Sequence, residues 1–137
     1  MGKNMTGSFS RSKGFTLVEI MIVVAIIALL TAIAIPYLLR ARITGNEASA
    51  RGTLKTISTA LETYALSNGT YPLDPAGLLG QVPPYLSKDY FSAPLSGYTY
   101  TPTLDLYTYT IVAAPLNSSY GNKTFTMATG GVLTESP

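Results

Sequence analysis

From Phe15 to Leu39 the chain reads FTLVEIMIVVAIIALLTAIAIPYLL, 25 residues with a single charge, Glu19. As an α-helix this stretch is about 37 Å long, enough to cross the hydrocarbon core of a bilayer. A helix that is apolar on every side needs lipid or other helices around it, so this run constrains all that follows. An ordinary secretory signal has a shorter apolar core, roughly 7–15 residues, with a small-residue cleavage site behind it. Here the run is too long for that, and a carboxylate sits inside it. A charge near the bilayer centre costs on the order of 2.5–3.5 kcal/mol, so an intramembrane carboxylate is by default a functional residue. Glu19 is close to one end of the span, where snorkelling toward the interface relieves part of the cost.

The formal charge of +2 pools two unlike regions. Residues 1–14 contain Lys3, Arg11 and Lys13 and no acid, which by the positive-inside rule keeps them cytoplasmic. In the remainder six basic residues face seven acidic ones. A nearly neutral body lacks the clustered basic face that nucleic-acid binding requires, so no specific nucleic-acid partner is expected. The chain has neither cysteine nor histidine. Disulfides and thiolate metal sites are thereby excluded, and the commonest general base is missing. Asp74, Asp89, Asp105 and Glu135 are scattered singly, and no nucleophile–base pair can be named. No catalytic residue, metal or cofactor is expected, and the chain is read as a non-enzyme.

The string Lys13-Gly14-Phe15-Thr16-Leu17-Val18-Glu19-Ile20 resembles the processing motif of type IV prepilins and of the pseudopilins of type II secretion. The resemblance covers residues 11 to about 40, with basic leader, glycine, aromatic, glutamate and apolar run in register. It implies that a prepilin peptidase cuts after Gly14 and that the same enzyme N-methylates Phe15, the new N-terminus. It implies too that Glu19 pairs in a filament with the N-terminal amine of a neighbouring subunit. A lone buried carboxylate is expensive, and an opposite charge offsets much of that cost. Pro36 also falls where many members have a proline, and a helix kink is expected there. The implied fold is the α+β pilin fold, one long N-terminal helix packed on a small antiparallel sheet of three to four strands.

Beyond Leu39 the pattern changes. Arg40 and Arg42 mark a membrane exit, with Tyr37 as an interfacial anchor. Ala50, Leu54, Ile57, Leu61 and Tyr64 recur at spacings of four and three, the stripe of an amphipathic helix. Glu47 and Arg51 stand four apart on the opposite side and can pair weakly, and Asn68-Gly69 supplies the stop. Between Asn68 and Gly97 five prolines predict short, irregular structure. Tyr71, Leu78, Leu79, Val82, Tyr85 and Leu86 are expected to pin that connection to the core. Strands are expected at Tyr98–Thr101 and Leu106–Ala113 around a Pro102–Asp105 turn, then at Lys123–Thr129 and Val132–Thr134 around Gly130-Gly131. The ten tyrosines are read as packing residues with wet polar tips. The organisation is therefore a leader at 1–14, a membrane or filament-core helix at 15–39, an amphipathic helix at 40–68, a connecting loop at 69–97 and a β-region at 98–137.

The resemblance implies a structural subunit of a type IV pilus, drawn from the inner membrane and polymerised for adhesion, twitching motility or DNA uptake. Its implied partners are copies of itself, the peptidase/methyltransferase, the assembly platform and its ATPase-driven machinery. The precursor is expected in the inner membrane and the product in an extracellular pilus. One alternative is a type II secretion pseudopilin acting as a periplasmic piston. Major pseudopilins commonly bind calcium in an acidic C-terminal loop, whereas residues 117–123 read NSSYGNK without an acid. A second alternative, a membrane-anchored binding domain that never polymerises, leaves Glu19 without a purpose.

Overall fold

A computed structural model describes residue 2 and residues 14–137, so Lys3, Arg11 and Lys13 of the expected leader lie outside the described residues. The elements run α1 (Leu17–Asn68), α2 (Ala76–Leu79), β1 (Tyr98–Leu104), β2 (Tyr109–Pro115), β3 (Thr124–Ala128) and β4 (Val132–Ser136). The chain divides between Pro36 and Tyr37 into two units.

In the first unit every residue from Gly14 to Pro36 is exposed. The apolar side chains of α1 here have no partner among the described residues. The one other polar side chain of its interior is satisfied locally, since the Thr31 hydroxyl donates to the Ile27 carbonyl at 2.7 Å. Pro36 lies inside α1. It has no N–H to offer the carbonyl four residues back, that of Ala32.

The second unit holds the core. Ala50, Leu54, Ile57 and Leu61 of α1 are fully buried, and Tyr64 packs at their edge, as the seam spacing predicts. Gly69 ends the helix. Its φ of 79° suits a residue without Cβ, and its N–H returns to the Ala65 carbonyl at 2.8 Å. The sheet is an antiparallel meander in the order β1-β2-β3-β4. Tyr98 and Tyr100 of β1, Tyr109, Ile111 and Ala113 of β2, and Phe125 and Met127 of β3 present their buried face to the seam's cluster. Period-two alternation along each strand produces this single apolar face. The fold is the α+β arrangement expected, with four strands.

Three local expectations are corrected. Pro102 does not begin a turn but lies within β1 opposite Ile111, and the turn falls at residues 105–108. An edge strand tolerates proline because one row of its backbone groups needs no ladder partner. Tyr107 consequently leaves the strand face and is 74 % exposed. Val82 does not pin the connection, being 99 % exposed, while Tyr71, Leu78 and Leu86 are buried as expected. Glu47 and Arg51 do not pair. Tertiary partners outcompete the local one: Arg51 reaches Glu135 at 3.1 Å and lies over the Phe125 ring, and Glu47 accepts from the Asn122 N–H at 3.2 Å.

Packing is close where Tyr98 meets the 117–123 loop. Its hydroxyl donates to the Lys123 carbonyl at 2.9 Å, and a Cβ on Gly121 would overlap that hydroxyl. Gly121→Ala is expected to destabilise the fold by about 1–3 kcal/mol, because a fully buried tyrosine has nowhere to move. Gly45 and Gly52 are the opposite case, exposed in α1 with open space around an added Cβ. Gly45→Ala and Gly52→Ala should each stabilise by about 0.5–1 kcal/mol. Urea unfolding of the detergent-solubilised protein reads all three; a neutral Gly121→Ala would contradict the packing account.

Candidate functional site

Gly14 and Phe15 precede α1 in an exposed, non-helical stretch, with Phe15 85 % exposed. Glu19 stands in the first turn of α1. The Thr16 N–H and hydroxyl both donate to Glu19 Oε2, at 2.7 and 2.8 Å, while the Glu19 N–H donates to Thr16 Oγ1 at 3.2 Å. This reciprocal arrangement is a capping box, which satisfies two backbone donors that a helix start otherwise leaves unpaired. The Thr-x-x-Glu spacing before an apolar run signals it in sequence. The carboxylate therefore has an intrachain role, held by Oε2 alone. Oε1 is not engaged by Thr16.

In the second unit polar side chains along one flank of α1 tie down the rest of the chain. Asn46 donates to the Tyr120 carbonyl at 2.9 Å, and Glu47 takes the Asn122 N–H. Together they fix the acid-free 117–123 loop from the helix side, a role that sequence spacing does not disclose. Arg51 and Lys123, the latter at 3.0 Å, hold Glu135 of β4 and keep its carboxyl below its usual range, with Lys123 as the larger cause.

Glu62 is the most connected of these groups. Its Oε1 accepts from the Tyr109 hydroxyl at 3.0 Å and the Gly130 N–H at 2.9 Å, and its Oε2 accepts from the Tyr71 hydroxyl at 3.0 Å. Since the Tyr109 proton points to Glu62, the Ser58 hydroxyl at 2.7 Å donates to Tyr109. The Tyr71 and Tyr109 rings meet edge to face at 5.0 Å. Helix, β2, the β3–β4 turn and the connecting loop converge on this carboxylate. Among the described residues no group of three or more His, Cys, Asp or Glu side chains gathers as a metal site.

The family model described as the prokaryotic N-terminal methylation motif matches residues 9–35, which include Gly14, Phe15 and Glu19. The chain is homologous to type IV pilins and to core proteins G of type II secretion. It is 38 % identical to the type II secretion system core protein G of Pseudomonas aeruginosa over 68 residues, 50 % of this chain and 48 % of that protein. To the type IV wide pilus major component of Thermus thermophilus it is 41 % identical over 68 residues, 50 % of this chain and 52 % of that protein. A longer match, 32 % over 99 residues, joins it to the core protein G of Pectobacterium carotovorum, covering 71 % of this chain and 64 % of that protein. The chain thus spans about half the length of the first two of these relatives and somewhat more of the third.

The tyrosine cluster has a spectroscopic signature. Burial first, then the hydrogen bond to Glu62, pushes the Tyr71 phenol up to about 12. Burial likewise raises Tyr98, Tyr100 and Tyr109. A raised folded-state value means that the stabilisation is complete below the unfolded tyrosine value near pH 10 and disappears as pH climbs through about 12. Tyrosinate absorbance should therefore show late-titrating phenols whose ionisation coincides with unfolding. In Tyr71→Phe one late phenol should be missing. A full, reversible titration near pH 10 would refute this account.

Proposed function

We propose that this protein is a structural subunit of a type IV pilus, processed between Gly14 and Phe15, N-methylated at Phe15 and polymerised through its apolar helix. The observation that supports this most is the pairing of the methylation motif with an apolar helix half that has no partner among the described residues. Copies of the same helix, bundled in parallel, can cover that surface once it leaves the bilayer. Cleavage would place a new ammonium at Phe15, one turn from Glu19. Glu19 Oε1 can receive a neighbour's ammonium while Oε2 keeps the capping box. A neighbour out of register leaves both charges unpaired in an apolar bundle, so the pair sets axial register. Pro36 supplies a kink that lets the helices adapt as they bundle.

The chain acts in this reading as scaffold, not as catalyst, with the prepilin peptidase, the assembly platform and its ATPase-driven machinery as partners. It passes from the inner membrane to the cell surface. The wide-pilus relative of Thermus thermophilus favours a pilus. The core protein G relatives favour the second reading, a pseudopilus confined to the periplasm. The loop at 117–123, acid-free and held by Asn46 and Glu47, weighs toward the pilus.

Shearing the cells, imaging released fibres and measuring the subunit's N-terminal mass tests the reading. Fibres of subunits beginning at methylated Phe15 are expected; a secretion defect without surface fibres would move the protein to the pseudopilus. Glu19→Gln separates the two roles of the carboxylate, because glutamine keeps the capping box and loses the charge. Glu19→Ala, Glu19→Val and Glu19→Gln should all remain in the membrane fraction and lose at least about tenfold in fibre yield, the effect of roughly 1.4 kcal/mol per contact. Wild-type yield from Glu19→Gln would show that the charge has no part in assembly.

A further inference from the structure

The second unit carries opposite charge at its two ends. At one end α1 closes at Asn68 without a basic residue in its last turn, so its terminal carbonyls add negative potential. The Tyr71 N–H donates to the Leu106 carbonyl at 2.9 Å and brings the β1–β2 turn beside the helix exit. Asp74 and Asp105 lie on these two segments. Each uses Oδ1 on a nearby N–H, of Gly77 at 3.2 Å and of Leu106 at 2.7 Å, which leaves the second oxygen to face outward contacts. Leu73 and Leu106 line a shallow cleft of about 340 Å³ between them, and Leu73 and Tyr107 are largely exposed.

The other end is basic. Arg40 is exposed and makes no ion pair among the described residues. The Arg42 guanidinium lies 5.4 Å from the centre of the Tyr120 ring, whose backbone Asn46 holds. Glu47, the acid nearest in sequence, is buried and occupied by the Asn122 N–H. Leu38 and Leu39 beside these arginines are exposed as well. From Arg40 to Asn68 the helix rises about 42 Å, so the two ends of one molecule cannot neutralise each other.

We propose that these ends dock on each other in successive copies of this chain, Arg40 and Arg42 of one copy meeting Asp74, Asp105 and Tyr107 of the next. Arg40 reaches Asp74 and Asp105, Tyr107 offers its ring face to a guanidinium, and Leu38 and Leu39 cover the Leu73–Leu106 cleft. Because the two surfaces differ and lie at opposite ends, the contact is heterologous and does not close. It propagates as an open chain. This rests on the filament reading and adds to it an axial contact between soluble parts, independent of the helix bundle.

The chain has no cysteine, so introduced thiols are the only ones present. Ala41→Cys with Thr108→Cys places exposed thiols beside, not in, the two surfaces and too far apart for an internal bridge. In cells making this variant alone, oxidation or a short bismaleimide after assembly should produce a ladder of dimers, trimers and higher species. Co-expressed single variants should stop at dimers. Asp74→Asn with Asp105→Asn keeps both backbone acceptors and removes both charges; fibre yield should fall about tenfold and lose its salt dependence. Arg40→Asp with Asp105→Arg should restore most of it. Fibres that give only monomers on cross-linking, or full yield from the Asn pair, overturn this contact and leave the filament reading standing. If Arg40 and Arg42 instead serve anionic lipid headgroups, fibres form without a ladder, which also overturns it. Absence of fibres from the unmodified chain overturns the filament reading and this contact together.

Discussion

Among the described residues the apolar half of α1 has no partner, and everything else about the molecule accommodates that deficit. From Phe15 to Leu39 the large side chains point outward, each at least half exposed. In water that surface would drive aggregation, and in a bilayer it is satisfied. A helix is the form in which a single segment can sit there, because all its backbone donors and acceptors pair within the segment. The same outward side chains are equally content against copies of themselves. A segment comfortable both in lipid and in a bundle can exchange one for the other, which is the physical basis of drawing a filament from a membrane.

The second unit solves a different problem, holding a small sheet in place without disulfides. Its seam of Ala50, Leu54, Ile57 and Leu61 supplies the apolar contact, and burying residues of this size stabilises by roughly 1.5–3 kcal/mol each. Next to the seam runs a polar flank at Glu47, Arg51, Ser58 and Glu62, spaced by four, seven and four. Each of these reaches a different part of the chain: the 117–123 loop, β4, β2, and the β3–β4 turn with the connecting loop. Arginine also covers Phe125 with its planar group, so the flank contributes packing as well as polar pairing. One helix therefore acts as core, spine and set of clasps.

Among the described residues, the polar groups that organise the molecule are Glu19 in its capping box and the flank of α1. The matches to relatives in pili and in secretion each cover 50 % of the chain. The loop from Asn117 to Lys123 is fixed from the helix side. Asn46 and Glu47 supply from the helix the fixation that convergent loop carboxylates can otherwise obtain from a cation.

Much of this was legible in the sequence, because the signals involved are local. The apolar run, its lone carboxylate, the seam at spacings of four and three, the Asn68-Gly69 stop and the alternating strands all arise from backbone periodicity and single-residue preference. The processing motif is read the same way, as a string in register. The Thr16–Glu19 capping box is local too, a Thr-x-x-Glu spacing at the start of the apolar run. What the tertiary structure alone decided are pairings across long separations. Pro102 entered β1 because that strand became an edge, and Arg51 left its helical neighbour for Glu135 because β4 was brought within reach. Glu62 became a hub through residues 9, 47 and 68 positions away. A carboxylate at an amphipathic boundary looks like any other in one dimension. Its partners are fixed by how the sheet folds back on the helix, and a sequence contains that only through the sum of all its contacts.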